Sequence, residues 1–288
     1  VLVAVVEATL YSLDRRTGIW RWRYPTEGFL GAAPVVADGM VYLSPVVNKP
    51  GTAYAHALDA ATGQPRWRMG LPATTSHRLA VYGDTVYATM PNDGGLLALD
   101  RRGGARQWWQ PLVSQPASTP VALDDAIYVV CSHSRFDPGI WEAAPDDGPL
   151  PNPYVLSAVL VAMRADDGSL LWERPIGAGR GVAHAGEPVA GANGTIFVGA
   201  DDGALYAYDA TTGAPRWRYQ TEGDKVSEPL PVGDNVYIGA SDGYVYALDT
   251  AAGALRWRAF TSTAIYSVTS LRERSITVGG VHDAHDPA

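Results

Sequence analysis

A glycine stands four residues before a tryptophan at six places in the chain. Successive tryptophans of these pairs are separated by 45, 41, 64, 45 and 40 residues. Such a period predicts stacked, similar units that bury their hydrophobic faces only against one another. The six pairs are Gly18/Trp22, Gly63/Trp67, Gly104/Trp108, Gly168/Trp172, Gly213/Trp217 and Gly253/Trp257.

Each repeat contains short β-rich runs joined by turn residues. In 229–239, two such runs are split by Gly-Asp-Asn, which is typical of a tight hairpin. An Asp-Gly turn leads into a third run, and an Asp-x-x-x-Gly turn leads into a fourth that carries the tryptophan. The pattern predicts an all-β fold, a β-propeller of four-stranded antiparallel blades built from six tryptophan-docking repeats.

We interpret the six repeat tryptophans as structural anchors. In Arg-Trp-Arg the indole points to one side of its strand and the arginines to the other. Burial of an indole, about 150–250 Å² at roughly 25 cal/mol/Å², contributes about 4–6 kcal/mol. These tryptophans should therefore fasten neighbouring blades rather than stack on sugars or bases.

The number of blades depends on how the ends are used. The run 1–6 aligns with the second strand of a blade, and 265–280 aligns with the first two strands of another. If the last inner strand completes the first blade, the chain forms six blades in one domain over 1–288, and the run 275–278 is surplus. A fragment of a seven- or eight-bladed parent is the alternative.

The repeat A-x-D-x-x-T-G-x-x-x-W, seen at 57–67 and 207–217, resembles the tryptophan-docking motif of the PQQ-like (pyrroloquinoline-quinone-like) propeller family. That family includes quinoprotein dehydrogenases, the propeller lipoprotein of the outer-membrane barrel assembly machinery, and sensor domains of bacterial kinases. The resemblance covers nearly the whole chain and implies an extracytoplasmic location, periplasmic or at the cell surface.

The fourth repeat departs from this pattern. It has Met163-Arg164 where other copies have Leu-Asp, and it carries the longest interval between tryptophans. The segment at about 132–154 contains five prolines and no strand alternation. We expect an extended surface loop there.

Composition excludes several classes of partner. The net charge of −8 and the pI near 5.2 argue against nucleic acid, which requires a positive surface. No run approaches the 18 apolar residues of a membrane helix. Cys131 is the single cysteine, so no intrachain disulfide exists, and its apolar surroundings predict a buried, inert thiol.

The residues argue against catalysis. The dehydrogenases of the family resemble one another in a pair of adjacent cysteines, in calcium-binding Glu and Asn, and in a catalytic Asp. One cysteine cannot supply that pair. We therefore predict that the chain is not an enzyme and holds no cofactor and no metal. The acidic, histidine-containing tail 282–286 is expected to be unstructured.

The predicted binding site is the rim of an axial channel. Alignment of the inner strands places His77, Arg78, Glu187 and Glu228 at matching positions where other repeats have small residues. A mixed-charge rim could bind a small polar ligand or a protein partner, although polar groups also line any hydrated channel. The family resemblance implies a non-catalytic sensor or ligand- or protein-binding domain of a bacterial signalling or cell-envelope protein, which we expect to be monomeric; the alternatives are an assembly scaffold and, third, a PQQ-dependent oxidoreductase.

Overall fold

The computed structural model describes residues 2–6, 8–46, 53–71, 77–91, 93–112, 114–136, 154–176, 189–191, 193–261, 264–270 and 276–280. Within these ranges every regular element is a β-strand. The expected all-β class is therefore confirmed.

The strands form seven sheets, numbered in chain order. Sheet 1 contains β1 (Leu2–Val6), β2 (Thr9–Leu13) and β3 (Trp20–Pro25). Sheet 2 contains β4 (Phe29–Leu30), β5 (Val35–Ala37), β6 (Met40–Leu43), β7 (Pro45–Val46), β8 (Ala53–Asp59) and β9 (Pro65–Leu71). Sheet 3 contains β10 (Leu79–Tyr82), β11 (Thr85–Met90), β12 (Gly95–Asp100) and β13 (Arg106–Pro111). The short strand β14 (Gln115–Pro116) follows.

Sheet 4 contains β15 (Val121–Leu123), β16 (Ala126–Phe136), β17 (Tyr154–Arg164) and β18 (Leu170–Ile176). Sheet 5 contains β19 (Val189–Gly191), β20 (Thr195–Gly199), β21 (Ala204–Asp209) and β22 (Pro215–Gln220). Sheet 6 contains β23 (Leu230–Val232), β24 (Asn235–Gly239), β25 (Tyr244–Asp249) and β26 (Leu255–Phe260). Sheet 7 is the pair β27 (Ile265–Ser270) and β28 (Ile276–Gly280).

Sheets 3, 5 and 6 follow the expected order of four consecutive antiparallel strands. In each repeat the third strand pairs with the fourth, which carries the tryptophan, and the register shifts once near its end. In sheet 6 Ala247 faces Trp257, and the shift follows between Ala247 and Leu248. This recurring irregularity lets the chain enter the Asp-x-x-x-Gly turn at the same place each time.

The chain divides into two compact units. Unit 1 contains 1–120 and the turn 164–169, and unit 2 contains 121–163 and 170–288. A single domain over 1–288 stays a prediction.

In both units the core lies between successive sheets. The third strands are buried along most of their length, whereas the fourth strands are largely exposed. One core cluster joins sheets 2 and 3, and another joins sheets 4 and 5. A blade that buries its inner strands against its neighbours leaves its outer strand at the surface, as the repeat pattern requires.

Two expectations about chain segments can be compared with the strands. The run left over in the alignment, 275–278, overlaps β28, which pairs with β27, so both predicted strands at that end are present. At the loop expected at about 132–154, β16 continues to Phe136 and β17 begins at Tyr154. Residues 137–153 lie outside the described residues.

Candidate functional site: grooves between neighbouring sheets

Five repeat tryptophans lie against the glycine of the following repeat. A β-carbon placed on that glycine would stand 2.5–2.7 Å from the indole in every case. Each of these glycines has a positive φ, between 66° and 73°. The turn therefore requires glycine for two reasons, its backbone conformation and the close approach of the ring. The pairs are Trp22–Gly63, Trp67–Gly104, Trp108–Gly168, Trp172–Gly213 and Trp217–Gly253.

The indole N–H of each of these tryptophans is also satisfied in the next repeat. Trp22 donates to the carbonyl oxygen of Ala60 at 3.0 Å, and Trp172 donates to that of Ala210 at 3.0 Å. Burial of an indole is favourable only when this donor finds an acceptor. Equivalent bonds are made by Trp67 to Arg101, Trp108 to Ala165 and Trp217 to Thr250.

The sixth tryptophan differs from the other five. Trp257 is 43% exposed. Like Trp67 and Trp217, it packs against an aromatic ring of its own sheet, here Tyr237, with ring centroids 5.8 Å apart. At the first repeat, a β-carbon on Gly18 would meet nothing within 4 Å. The role of all six tryptophans as stabilising anchors stays a prediction.

The Asp-x-x-x-Gly turns are held by a recurring ion pair. The aspartate accepts backbone N–H groups of the turn and faces the arginine that precedes the tryptophan. In repeat 2, Asp59 lies 2.6 Å from Arg66, and these bonds lower the pKa of Asp59 to about 2. The same pair joins Asp14 to Arg21, Asp209 to Arg216 and Asp249 to Arg256.

The predicted rim residues lie in different parts of the chain. His77 and Arg78 belong to unit 1, Glu228 belongs to unit 2, and Glu187 lies outside the described residues. His77 is 1% exposed, with Nδ1 3.1 Å from the hydroxyl of Ser44. Glu228 is exposed. Convergence of the four side chains at one mouth stays a prediction.

The described structure contains two open grooves of similar size. The first, about 490 Å³, runs between sheets 2 and 3, and we call it the Met–Trp groove. The second, about 480 Å³, runs between sheets 4 and 5, and we call it the arginine groove. Volumes of this size fall within the range of ligand sites. Met69, Gly70, Met90, Leu97 and Trp109 define the Met–Trp groove, bordered by Asp93 and Arg106. Arg174, Pro175, Tyr206, Tyr208, Arg216 and Arg218 define the arginine groove.

The corresponding space between sheets 1 and 2 is filled by the chain itself. The guanidinium of Arg68 lies 3.5 Å from the ring centroid of Tyr54 and forms an ion pair of 3.0 Å with Glu27. Tyr24 and Tyr54 both pack edge-on against His56, with centroids 6.1 and 6.0 Å from it. Aromatic rings and a stacked cation leave little room for a ligand there.

The space between sheets 5 and 6 repeats this arrangement. Arg258 lies 4.7 Å from the ring centroid of Tyr244 and 2.7 Å from Glu222. Tyr219 and Tyr244 pack on Tyr246, with centroids 5.8 and 6.1 Å away. Thus Tyr54 and Tyr244 occupy one repeat position in the two filled spaces, whereas Gly95 and Ala204 occupy it beside the two open grooves.

Sequence reasoning missed these grooves, although the signal was present. Aligned on the tryptophan, the third strands carry tyrosine at residues 54 and 244 but glycine or alanine at residues 95 and 204. A small residue at a position that carries tyrosine in two other repeats indicates a gap or a close neighbour. Both apply in sheet 3, because a β-carbon on Gly95 would stand 2.7 Å from Nε1 of Trp109.

Other groups have simple roles. Cys131 is fully buried, as predicted, and burial raises the pKa of its thiol to about 12, which disfavours the reactive thiolate. In the described part of the chain, no cluster of three or more His, Cys, Asp or Glu side chains could hold a metal ion. The tail 281–288 lies outside it. Among the same residues, no helix is long and apolar enough to cross a membrane.

A family model matches most of the chain. The family model described as outer membrane protein assembly factor BamB matches residues 1–55, 51–150 and 156–282. No curated protein matches the chain in sequence.

Solved structures give the same fold. BamB from Moraxella catarrhalis is 18% identical with a TM-score of 0.53, over 94% of this chain and 90% of that one. The computationally designed Ika8 protein is 13% identical with a TM-score of 0.70, over 96% and 79%. A europium-containing methanol dehydrogenase is 16% identical with a TM-score of 0.60, over 81% and 52%, so this chain spans about half of that enzyme. At these identities the likeness shows the fold, and the expected β-propeller of the PQQ-like repeat family is confirmed.

Proposed function

The chain belongs to the PQQ-like repeat family described as outer membrane protein assembly factor BamB, and we propose that it is a non-catalytic propeller that binds proteins and acts as an assembly scaffold. An assembly scaffold is preferred to a sensor because the matching family is described as an assembly factor. The observation that carries the proposal is the Met–Trp groove of unit 1.

The lining of this groove has the composition of a protein-binding surface. Leu97 and Met90 are 3% and 1% exposed and form its floor, while Trp109 is 42% exposed and forms a wall. Tryptophan and methionine are enriched in protein interfaces, and methionine adapts to partners of irregular shape. An exposed indole beside a preformed apolar groove is typical of an interface hot spot.

Trp109 differs from the residue that most repeats carry at the same position. The residue after the anchoring tryptophan is arginine in four repeats, and at residues 68, 218 and 258 it forms ion pairs with carboxylates. At residue 109 that cation is replaced by an indole, and Gly95 provides the space beneath it. The repeat itself does not call for this exchange, because arginine occupies four of the equivalent positions. It places apolar surface where the other sheets carry charge.

The border of the groove supplies polar groups of both signs. Asp93 and Arg106 are exposed and, among the described residues, neither forms a hydrogen bond or an ion pair. A charged pair at the edge of an apolar patch fixes the orientation of a partner more than its affinity. Together these features support a site for a protein segment with an apolar side chain flanked by polar ones.

Site-specific photo-crosslinking in cells that produce the protein tests the proposal. A photoreactive amino acid in place of Asp93 or Arg106 should give discrete adducts with another protein, and Trp109→Ala should abolish them. The matched control is the same amino acid in place of Arg16, which is exposed on a turn far along the chain. Adducts that form equally at residue 16, or that survive Trp109→Ala, would contradict the proposal, as would no adduct at either groove position.

A further inference from the structure

The arginine groove carries a positive charge that is not balanced within it. Arg216 lies 2.8 Å from Asp209, and Arg218 lies 3.6 Å from Asp202. Arg174 instead donates to the carbonyl oxygens of Glu173 and Thr212, at 2.8 and 3.1 Å. Over the described ranges Arg174 has no carboxylate partner. An exposed guanidinium on a chain of net charge −8 therefore marks this groove as a local anion-binding position.

The floor beneath the arginines is aromatic. The rings of Tyr206 and Tyr208 lie 6.3 Å apart with an interplanar angle of 18°. They are 7% and 4% exposed, so they present only part of their surface to the groove. Burial raises the pKa of both phenols, so they remain neutral at physiological pH. The groove thus offers a flat apolar surface beside a cation.

Sheet 5 has no aromatic ring at the repeat position that carries tyrosine in sheets 2 and 6. Tyr54 and Tyr244 lie beneath Arg68 and Arg258, whereas Ala204 holds that repeat position in sheet 5. Arg218 bends instead toward Tyr206, 5.4 Å from its ring centroid. An incoming aromatic side chain would restore the arrangement that two other sheets build from their own residues.

The outer strands do not favour strand addition at this groove. Pro175 lies within β18 and Pro215 begins β22. Proline has no backbone N–H and cannot continue a hydrogen-bonded ladder, so it protects edge strands from pairing. A partner that docks here is therefore recognised through its side chains.

We propose that the arginine groove binds an acidic segment of a partner protein, with an aromatic side chain placed against Tyr206 and Pro175 and a carboxylate paired with Arg174. This site rests on the protein-binding function proposed above, and it adds the chemistry of one bound segment. The aromatic residue supplies contact area, and the carboxylate supplies orientation through a charge-assisted bond to the guanidinium.

Selection from a display library of random linear octapeptides tests this chemistry on the purified protein. Enriched peptides should contain an aromatic residue next to aspartate or glutamate, and anisotropy of a labelled peptide should show weaker binding at higher salt. Arg174→Ala should weaken binding about tenfold or more, since it removes a charge-assisted bond. Ala204→Tyr introduces the tyrosine that sheets 2 and 6 carry at this repeat position and should prevent binding by competing with the aromatic side chain of the partner.

The control is Arg66→Ala, which removes an outer-strand arginine from a different sheet and should leave the affinity unchanged. Enrichment of neutral or basic peptides would overturn the inference, and so would a selection without enrichment. Equal losses of affinity for Arg174→Ala and Arg66→Ala would also overturn it. If crosslinking at Asp93 and Arg106 persists in that case, the scaffold function stands and only this site fails. If Ala204→Tyr does not fold, Arg174→Ala decides alone, because its side chain is exposed.

Discussion

The indole of Trp217 lies against Gly253 of the next repeat, so close that a β-carbon on residue 253 would stand 2.5 Å from Cδ2 of the ring. Beyond this contact, the indole N–H donates a hydrogen bond to the carbonyl oxygen of Thr250 at 3.1 Å. Ring, turn and hydrogen bond therefore form one unit, and each depends on the absence of a side chain at residue 253.

Gly253→Ala should destabilise the protein by about 2–5 kcal/mol. A left-handed conformation costs an alanine about 1–2 kcal/mol, and overpacking against the ring adds roughly 1–3 kcal/mol. Urea denaturation followed by circular dichroism measures the loss.

Gly18→Ala is the matched control for this substitution. Gly18 has φ of 72°, close to the 66° of Gly253, but a β-carbon there meets nothing within 4 Å. It should lose only the backbone contribution, about 1–2 kcal/mol. If the two variants lose the same free energy, contact with the tryptophan does not constrain the turn.

Two tryptophans of β3 differ in burial, so their substitution distinguishes the effect of burial from the effect of residue type. Trp22 is 8% exposed and Trp20 is 61% exposed. Trp22→Ala should lower the free energy of unfolding by about 3–5 kcal/mol, as for large core aromatics, and Trp20→Ala by less than about 1 kcal/mol. Equal losses in chemical denaturation would argue against the anchor role.

The repeat could be predicted from sequence because its signal is local. Gly63 and Trp67 stand four residues apart on one turn and strand, so their spacing survives in the primary structure. Cys131 could likewise be assigned to the core from the apolar run around it. Such features depend on neighbours along the chain and need no knowledge of how the sheets pack.

The grooves could not be predicted in the same way. The Met–Trp groove exists because Met69 of sheet 2 faces Leu97 and Trp109 of sheet 3, and no local pattern states which residues of successive repeats meet. The expectation for His77 has the same limit: its position before the inner strand β10 can be recognised from sequence, but its burial beside Ser44 depends on a residue of the preceding repeat.

The proposal that the chain has no quinone-dependent activity can be tested directly. Purified protein mixed with PQQ and Ca²⁺ should show no dye-linked oxidation of alcohols or sugars above a no-protein control. The chain has one cysteine, which is buried with a raised pKa, so the adjacent pair of cysteines typical of the family's dehydrogenases cannot form. A PQQ dehydrogenase assayed in parallel shows that the mixture is competent. Turnover that scales with protein concentration would refute the non-catalytic proposal.

His56 should make stability depend on pH between 6.5 and 4. Burial, together with the charge of Arg68, lowers the pKa of its imidazole from 6.5 to about 4, against a smaller opposing effect of Glu27. Tyr24 and Tyr54 pack around the ring. Above pH 6.5 the imidazole is neutral in both states. Between 6.5 and 4 only the unfolded chain gains a proton, so stability falls as pH falls, by at most about 3 kcal/mol.

The test compares the free energy of unfolding of wild type and His56→Tyr at pH 7.5, 5.5 and 4.5. Tyrosine occupies the same repeat position at residues 206 and 246, so the variant should fold; His56→Leu, which copies the leucine at residue 97, is the second choice. Wild type should lose stability across this range relative to either variant. Asp59 and Asp209 have pKa values lowered to about 2, so their contribution is lost only below about 3.8 and does not overlap. Parallel pH profiles for wild type and variant would show that the buried imidazole is not the group that titrates.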